Sequence, residues 1–186
     1  MARVSDHFAT HQQVVRQSLT ELEHVAEEVG QAVVRTLQGG GKIIAFGNGG
    51  SATQASHLAG ELIGRYSRER RSLPAIALVG DPAAVTCIAN DFGYASVFER
   101  QVEALAGPGD LVLGLTTSGK SENVLRGLAA GRRRGARTVA LTGQAGLTDG
   151  QADHVVRVPS TVTAAIQEVH LMLLHSWCAM VDDAVE

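Results

Sequence analysis

His57 and Glu61 stand four residues apart in a stretch without proline. On a helix they lie about 40° apart on one face. An imidazole and a carboxylate so placed can hold a divalent metal or work as an acid/base pair, and a plain surface pair is the alternative. Gln167, His170 and His175 interrupt an apolar pattern near the C-terminus. Gln167 and His175 are eight apart, so about 80° apart in azimuth and near 12 Å along a helix axis. The plainer reading of those histidines is a satisfied interface. Asp91, within Asn90-Asp91-Phe92-Gly93, is either a turn former or a ligand for sugar hydroxyls.

Two loops have the composition of an anion cradle. In Gly47-Asn48-Gly49-Gly50-Ser51 the glycines remove side chains, so backbone N–H groups can point at an anion, and Ser51 is placed to cap a following helix. In Thr116-Thr117-Ser118-Gly119-Lys120-Ser121 four hydroxyls meet a helix start within six residues, a cradle built from neutral donors. Neither has the spacing of a Walker A motif, and Gly-Asn-Gly-Gly-Ser-Ala lacks the third spaced glycine of a dinucleotide fingerprint. Each alone also reads as a capped strand-to-helix turn, but two in one small sheet favour a phosphate ligand. Lys42 and Lys120 are the only lysines, and Lys120 alone lies near a loop.

The elements that must position these residues follow from the pattern. Apolar residues recur at Val15, Leu19, Leu22, Ala26, Val29, Val33 and Leu37, which predicts one long amphipathic helix over about 5–37, ended by Gly39-Gly40-Gly41. Such a helix reaches roughly 45 Å, more than a domain of this size needs, so part of it is expected to pack on another subunit. Short apolar runs at 42–46, 74–79, 110–115, 137–142 and 153–157 predict five strands. Helical stretches are expected at 51–63, 82–89, 94–105, about 121–134 and 163–185. Apolar strands alternating with helices predict an α/β, flavodoxin-like, doubly wound five-stranded parallel sheet with long N- and C-terminal helices, in one domain spanning residues 1–186. Ligands of such sheets bind beyond the carboxyl ends of the strands, where both loops fall.

Composition narrows the function classes. The chain has 186 residues, 45% hydrophobic and 19% charged, so a core is available and wholesale disorder is excluded. Glycine is in excess, at 21 residues, without a collagen period, so it belongs in turns and close backbone approaches. A formal charge of −3 gives no electrostatic case for nucleic acid. Arg132-Arg133-Arg134 reads as a solvated helix C-terminus. No uninterrupted apolar stretch is long enough for a membrane span, and the N-terminal residues have no signal core. Cys87 and Cys178 are expected to be free buried thiols of a cytoplasmic protein.

Six segments carry a resemblance: FGNGGSATQASHLAGELIGRY, PAIAL, ANDFGY, LGLTTSGKSENV, VALTG and IQEVHLMLLH. In this order and spacing they resemble the sugar-isomerase (SIS) domain, most closely that of the bacterial phosphoheptose isomerases, over essentially the whole chain. The TTSGKS loop marks a sugar-phosphate-binding SIS domain in general. The HxxxE helix together with the QExHxxxxH helix is far more specific. The resemblance implies isomerisation of sedoheptulose 7-phosphate to D-glycero-D-manno-heptose 7-phosphate through an enediol, in a homotetramer with active sites at subunit interfaces. It implies that Glu61 is the general base and His175 the partner acid/base. Asn48, Gly49, Ser51, Asp91, Thr116, Thr117, Ser118, Ser121 and Gln167 would bind substrate together with Glu61. Some members hold zinc, here matched by His57, Glu61, Gln167 and His175, one ion per subunit. Thr116 stands where Ser is common and Lys120 where Asn is common. Two rival readings remain: a non-catalytic SIS paralogue that binds the bacterial replication initiator, and an isomerase of another ketose phosphate.

Overall fold

The computed structural model describes residues 3–148 and 150–185. Five strands, β1 (Ile43–Gly47), β2 (Ala75–Ala77), β3 (Leu111–Thr116), β4 (Arg137–Gly143) and β5 (His154–Val158), form one sheet in the order β2-β1-β3-β4-β5. Every neighbouring pair is parallel. That order is the flavodoxin-like one, with the switch point between β1 and β3. The register pairs Gly47 with Leu115, so the loops that follow β1 and β3 leave the sheet side by side.

Six α-helices cover the sheet: α1 (Val4–Gln38), α2 (Gly50–Ile63), α3 (Pro82–Phe92), α4 (Val97–Leu105), α5 (Glu122–Arg133) and α6 (Thr163–Ala184). The central strands β1 and β3 are buried throughout, so alternate side chains feed two separate cores. Ile43 and Ala45 face a core made with α1, α2 and α6, which includes Val29, Leu58, Leu174 and Trp177. Ile44 and Phe46 face the other, made with α4 and α5, which includes Phe98, Val102 and Leu128. There Phe46 and Phe98 stack with centroids 4.8 Å apart, an arrangement that contributes roughly 0.5–1.5 kcal/mol beyond area burial. The partition matters for function, because it puts α2 and α6 on the same face.

α1 runs 35 residues, about 52 Å at 1.5 Å per residue. It is tied to α6 by the Trp177 indole, which donates to Ala26 O at 2.9 Å. Lys42 is taken up by structure: its ammonium bonds Asp110 at 2.6 Å at the strand starts, away from both loops. Of the arginine run, Arg133 pairs with Glu99 and Glu103, as suits a helix C-terminus facing an acidic neighbour.

Three local expectations are corrected. Cys87 is exposed rather than buried, because α3 buries none of its residues, whereas Cys178 is buried as expected. Asp91 is not in a turn: α3 continues to Phe92, and Gly93, at φ 83°, ends it. Ser51 does not cap α2, which starts one residue earlier with Gly49 as its N-cap, and Ser51 lies buried within the first turn.

Candidate active site

α2 carries His57 and Glu61 on one face, and their Nε2 and Oε1 atoms are 3.3 Å apart. α6 crosses the same side of the sheet and brings His175 to His57, Nε2 to Nε2 at 2.9 Å. The Tyr66 ring, just past α2, lies against the His175 ring at 5.4 Å with a 30° tilt. Glu61, His57 and His175 therefore form a continuous polar row of residues that lie 118 positions apart in sequence at its longest contact. Gln167 joins α6 to α2 one level away, where the Gln54 amide donates to Gln167 O at 2.6 Å. Gly50 makes this approach possible, since a Cβ there would sit 2.6 Å from Gln167 Nε2.

The loop after β3 is held by its own hydroxyls. Thr116, buried at the strand end, has Oγ1 3.0 Å from Ser121 Oγ and 3.5 Å from Ser118 Oγ, and accepts from Gly119 N at 3.2 Å. Ser118 Oγ accepts from Lys120 N at 3.2 Å. Gly119 has φ 67°, and a Cβ there would lie 2.2 Å from Gly146 Cα, so no other residue fits the turn. Lys120, Thr117 and Ser118 line a cleft of about 200 Å³ with Ser160, Thr161 and Thr163. That places the lysine beside the hydroxyls.

The loop after β1 meets the start of α5. Asn48 and Asn123 exchange amide hydrogen bonds at 2.9 and 2.8 Å, and Tyr94 donates its hydroxyl proton to Asn48 Oδ1 at 2.8 Å. Gly49, at φ 55°, turns its carbonyl toward Ala52 N and Thr53 N. The Asp91 carboxylate bonds its neighbours on α3: it accepts from the Asn90 amide at 2.8 Å and lies 3.6 Å from Cys87 Sγ. Sequence reasoning missed Asn123, Tyr94, Gln54 and Tyr66. Only the segments that contain them were visible, because each acts through a partner distant in sequence.

Electrostatics separate working from inert groups. Burial is the main force on His170 and lowers its pKa to about 4, although its bond to Thr142 O partly opposes this. It is a neutral packing histidine near neutral pH. Burial likewise pushes the Cys178 thiol up to about 12, with the Glu61 and Asp182 carboxylates adding to the rise.

The donor types of His57, Glu61, Gln167 and His175 suit zinc, as imidazole nitrogens and oxygens. Two Nε2 atoms facing at 2.9 Å are satisfied by a proton shared between them, the bond that a metal would have to replace. Among the described residues, no three His, Cys, Asp or Glu side chains enclose a metal-sized point. The residues fit the ion in chemistry, and the His57–His175 pair is the part of the set already facing a common point.

Comparison with known proteins settles the family. The SIS domain profile matches residues 6–143. A phosphoheptose isomerase of Aliarcobacter butzleri is 45% identical over 177 residues, covering 95% of this chain and 94% of that protein. The chain belongs to the SIS-domain family, among its phosphoheptose isomerases. Solved phosphoheptose isomerases have the same fold as this SIS domain. That of Francisella tularensis superposes with a TM-score of 0.91 at 34% identity, over 97% of this chain and 96% of its own. That of Neisseria gonorrhoeae gives 0.90 at 36% identity, over 97% of each chain. No helix among the described residues is long and apolar enough to cross a membrane.

Proposed function

We propose that this protein is an aldose–ketose isomerase that converts sedoheptulose 7-phosphate to D-glycero-D-manno-heptose 7-phosphate through an enediol, as the first step of bacterial heptose biosynthesis. The observation that carries the reading is the row Glu61–His57–His175 on the face shared by α2 and α6. Next to the β1 end of that face stands a hydroxyl loop suited to a phosphate. The names of the relatives support the substrate. A binding-only SIS scaffold has no use for an imidazole pair backed by a carboxylate.

The phosphate would rest on Thr116, Thr117, Ser118 and Ser121, with Ser51 nearby, and Asn48, Gly49, Asp91 and Gln167 would contact the sugar. Anchoring the far end of the substrate fixes C1 and C2 without touching them, so remote binding energy goes into orientation. Glu61 takes the proton from C1, the C1–H electrons form the C1–C2 double bond, and the carbonyl electrons move to O2. His175 supplies the proton that O2 needs and later accepts the one that leaves O1. Glu61 returns its proton to C2, which leaves the carbonyl at C1 and restores both side chains. Tyr66, whose ring lies tilted against His175 at 5.4 Å, would help hold the imidazole plane through this exchange.

His57, Glu61, Gln167 and His175 would hold one zinc ion per subunit. When bound, it supplies Lewis acidity toward a carbonyl or enediolate oxygen. A homotetramer with shared active sites in the cytoplasm completes the reading. In support, α1 and α6 leave an apolar groove of about 350 Å³ with Leu19 67% and Met172 46% exposed.

The test is a panel of ketose phosphates of different chain lengths, with aldose formation followed directly. Turnover of the seven-carbon ketose well above the five- and six-carbon ones is the expected result. Preference for a shorter ketose would reassign the substrate, and no aldose from any would remove the activity.

A further inference from the structure

Arg70 and Asp182 form an ion pair that the proposed chemistry does not use. Both side chains are only 1% exposed, and Arg70 Nε lies 3.1 Å from Asp182 Oδ1. Taking two charges out of water is costly, so a pair held this deeply needs further partners. Asp182 has them: Ser67 N and Arg68 N donate to Oδ2 at 2.8 and 2.9 Å. Burial alone would raise the Asp182 pKa, but these amide bonds and Arg70 outweigh it and hold the carboxyl below its usual range.

The other end of Arg70 closes α2. A helix leaves its last carbonyls without intrahelical donors. Arg70 Nη2 donates to Glu61 O at 2.8 Å, and Nη1 donates to Leu62 O at 2.8 Å. Ser72 Oγ donates to Ile63 O at 2.7 Å, which completes the cap. The guanidinium thus grips the peptide of Glu61 itself.

Asp182 lies seven residues beyond His175 on α6, about 20° away in azimuth and some 10 Å along the axis, so both are on one face. The segment it binds, Ser67-Arg68, directly follows Tyr66, whose ring lies on His175. One ion pair is therefore connected to the base through the α2 C-terminus, and to the partner acid/base through both Tyr66 and α6.

We infer that the Arg70–Asp182 pair is a positioning element that sets Glu61 and His57 against His175. This rests on the isomerase reading of the site. Displacing a reacting group by about 1 Å can cost on the order of 100-fold in rate. Asp182→Asn keeps the shape and an acceptor but loses the charge. Arg70→Lys keeps the charge but loses the fork that spans Asp182 and Glu61 O.

The experiment measures kcat and KM for these two variants and for Arg68→Ala, which removes the guanidinium's links to Asp183 and to Asp182 O but keeps the backbone N–H that holds the Asp182 carboxylate. Folding is checked by circular dichroism. The imidazole nitrogen resonances of His57 and His175 are recorded on each protein. The expected result is folded Asp182→Asn and Arg70→Lys with kcat down about 10- to 100-fold and KM within threefold. Their His57 and His175 resonances should shift, while Arg68→Ala matches the wild type in both readouts. Folded variants with wild-type kcat and unshifted imidazoles overturn the inference, as does failure of both variants to fold, which would make the pair a folding determinant only. An inactive wild type would instead refute the isomerase reading, and the resonances would still decide the positioning role.

Discussion

His57 and His175 face each other through their Nε2 atoms at 2.9 Å, although they lie 118 positions apart in sequence. One of the two nitrogens must carry a proton for this contact to be favourable, unless a cation takes its place. The zinc expectation can be tested on that contact without turnover. Added zinc is expected to raise the melting temperature of the wild type, by the equivalent of about 2.7 kcal/mol at 100 times Kd. The rise should disappear in His57→Ala and survive in His24→Ala, whose ring is on the exposed side of α1. An equal rise in all three proteins would place zinc elsewhere.

The hydroxyl loop should govern substrate affinity more than the chemical step. Ser121→Ala removes an Oγ that lies 3.0 Å from Thr116 Oγ1 at the start of α5. A bond from a neutral hydroxyl to a charged group contributes about 1.5–3 kcal/mol. KM for the sugar phosphate is therefore expected to rise about 10- to 100-fold, and inorganic phosphate should weaken as a competitive inhibitor in parallel. An unchanged KM would place the phosphate on another loop.

His170 makes stability depend on pH. Its pKa is about 4 in the folded protein, lowered by burial, against about 6.5 unfolded. Between these values the unfolded state binds more protons, so stability falls as pH falls from 6.5 toward 4 and is fully present above 6.5. The group accounts for a loss of about 2 kcal/mol between pH 7 and pH 5. Urea titrations at the two pH values should show a difference smaller by that amount in His170→Leu. An equal pH dependence in both proteins would contradict the assignment.

The two thiols should differ in reactivity. Cys87 is exposed on α3, and Cys178 is buried with a pKa near 12. A thiol reagent at neutral pH is expected to modify one cysteine in the native protein and two after denaturation. Fast native labelling of both would mean that α6 opens.

Much of this was legible in the sequence, for identifiable reasons. Apolar runs separated by amphipathic segments showed the strand count, and the adjacency of β1 and β3 follows once the order is flavodoxin-like. His57 and Glu61 were visible as a pair because helical spacing is a local property. His175 joined them only by resemblance, since nothing local says which face of the sheet α6 covers. The sequence suggests too short an α3 because Asn90-Asp91 has turn chemistry, yet the helix runs through both to Phe92 and Gly93 ends it. The Asn48–Asn123–Tyr94 cluster was invisible because its partners come from three elements. The Arg70–Asp182 pair was invisible for the same reason: the two residues lie 112 positions apart, and nothing local to either marks the other as its partner.

The most direct measurement compares wild type and Glu61→Gln for conversion of sedoheptulose 7-phosphate to the aldose. Removing a positioned base costs about 10²- to 10⁴-fold. The Gln side chain keeps the size of Glu61, so the far-ultraviolet circular dichroism spectrum should be unchanged. The expected result is an active wild type and a folded variant slower by at least about 100-fold, with KM little altered. A folded Glu61→Gln that turns over within a factor of about three of wild type would contradict the assignment of Glu61 as the base.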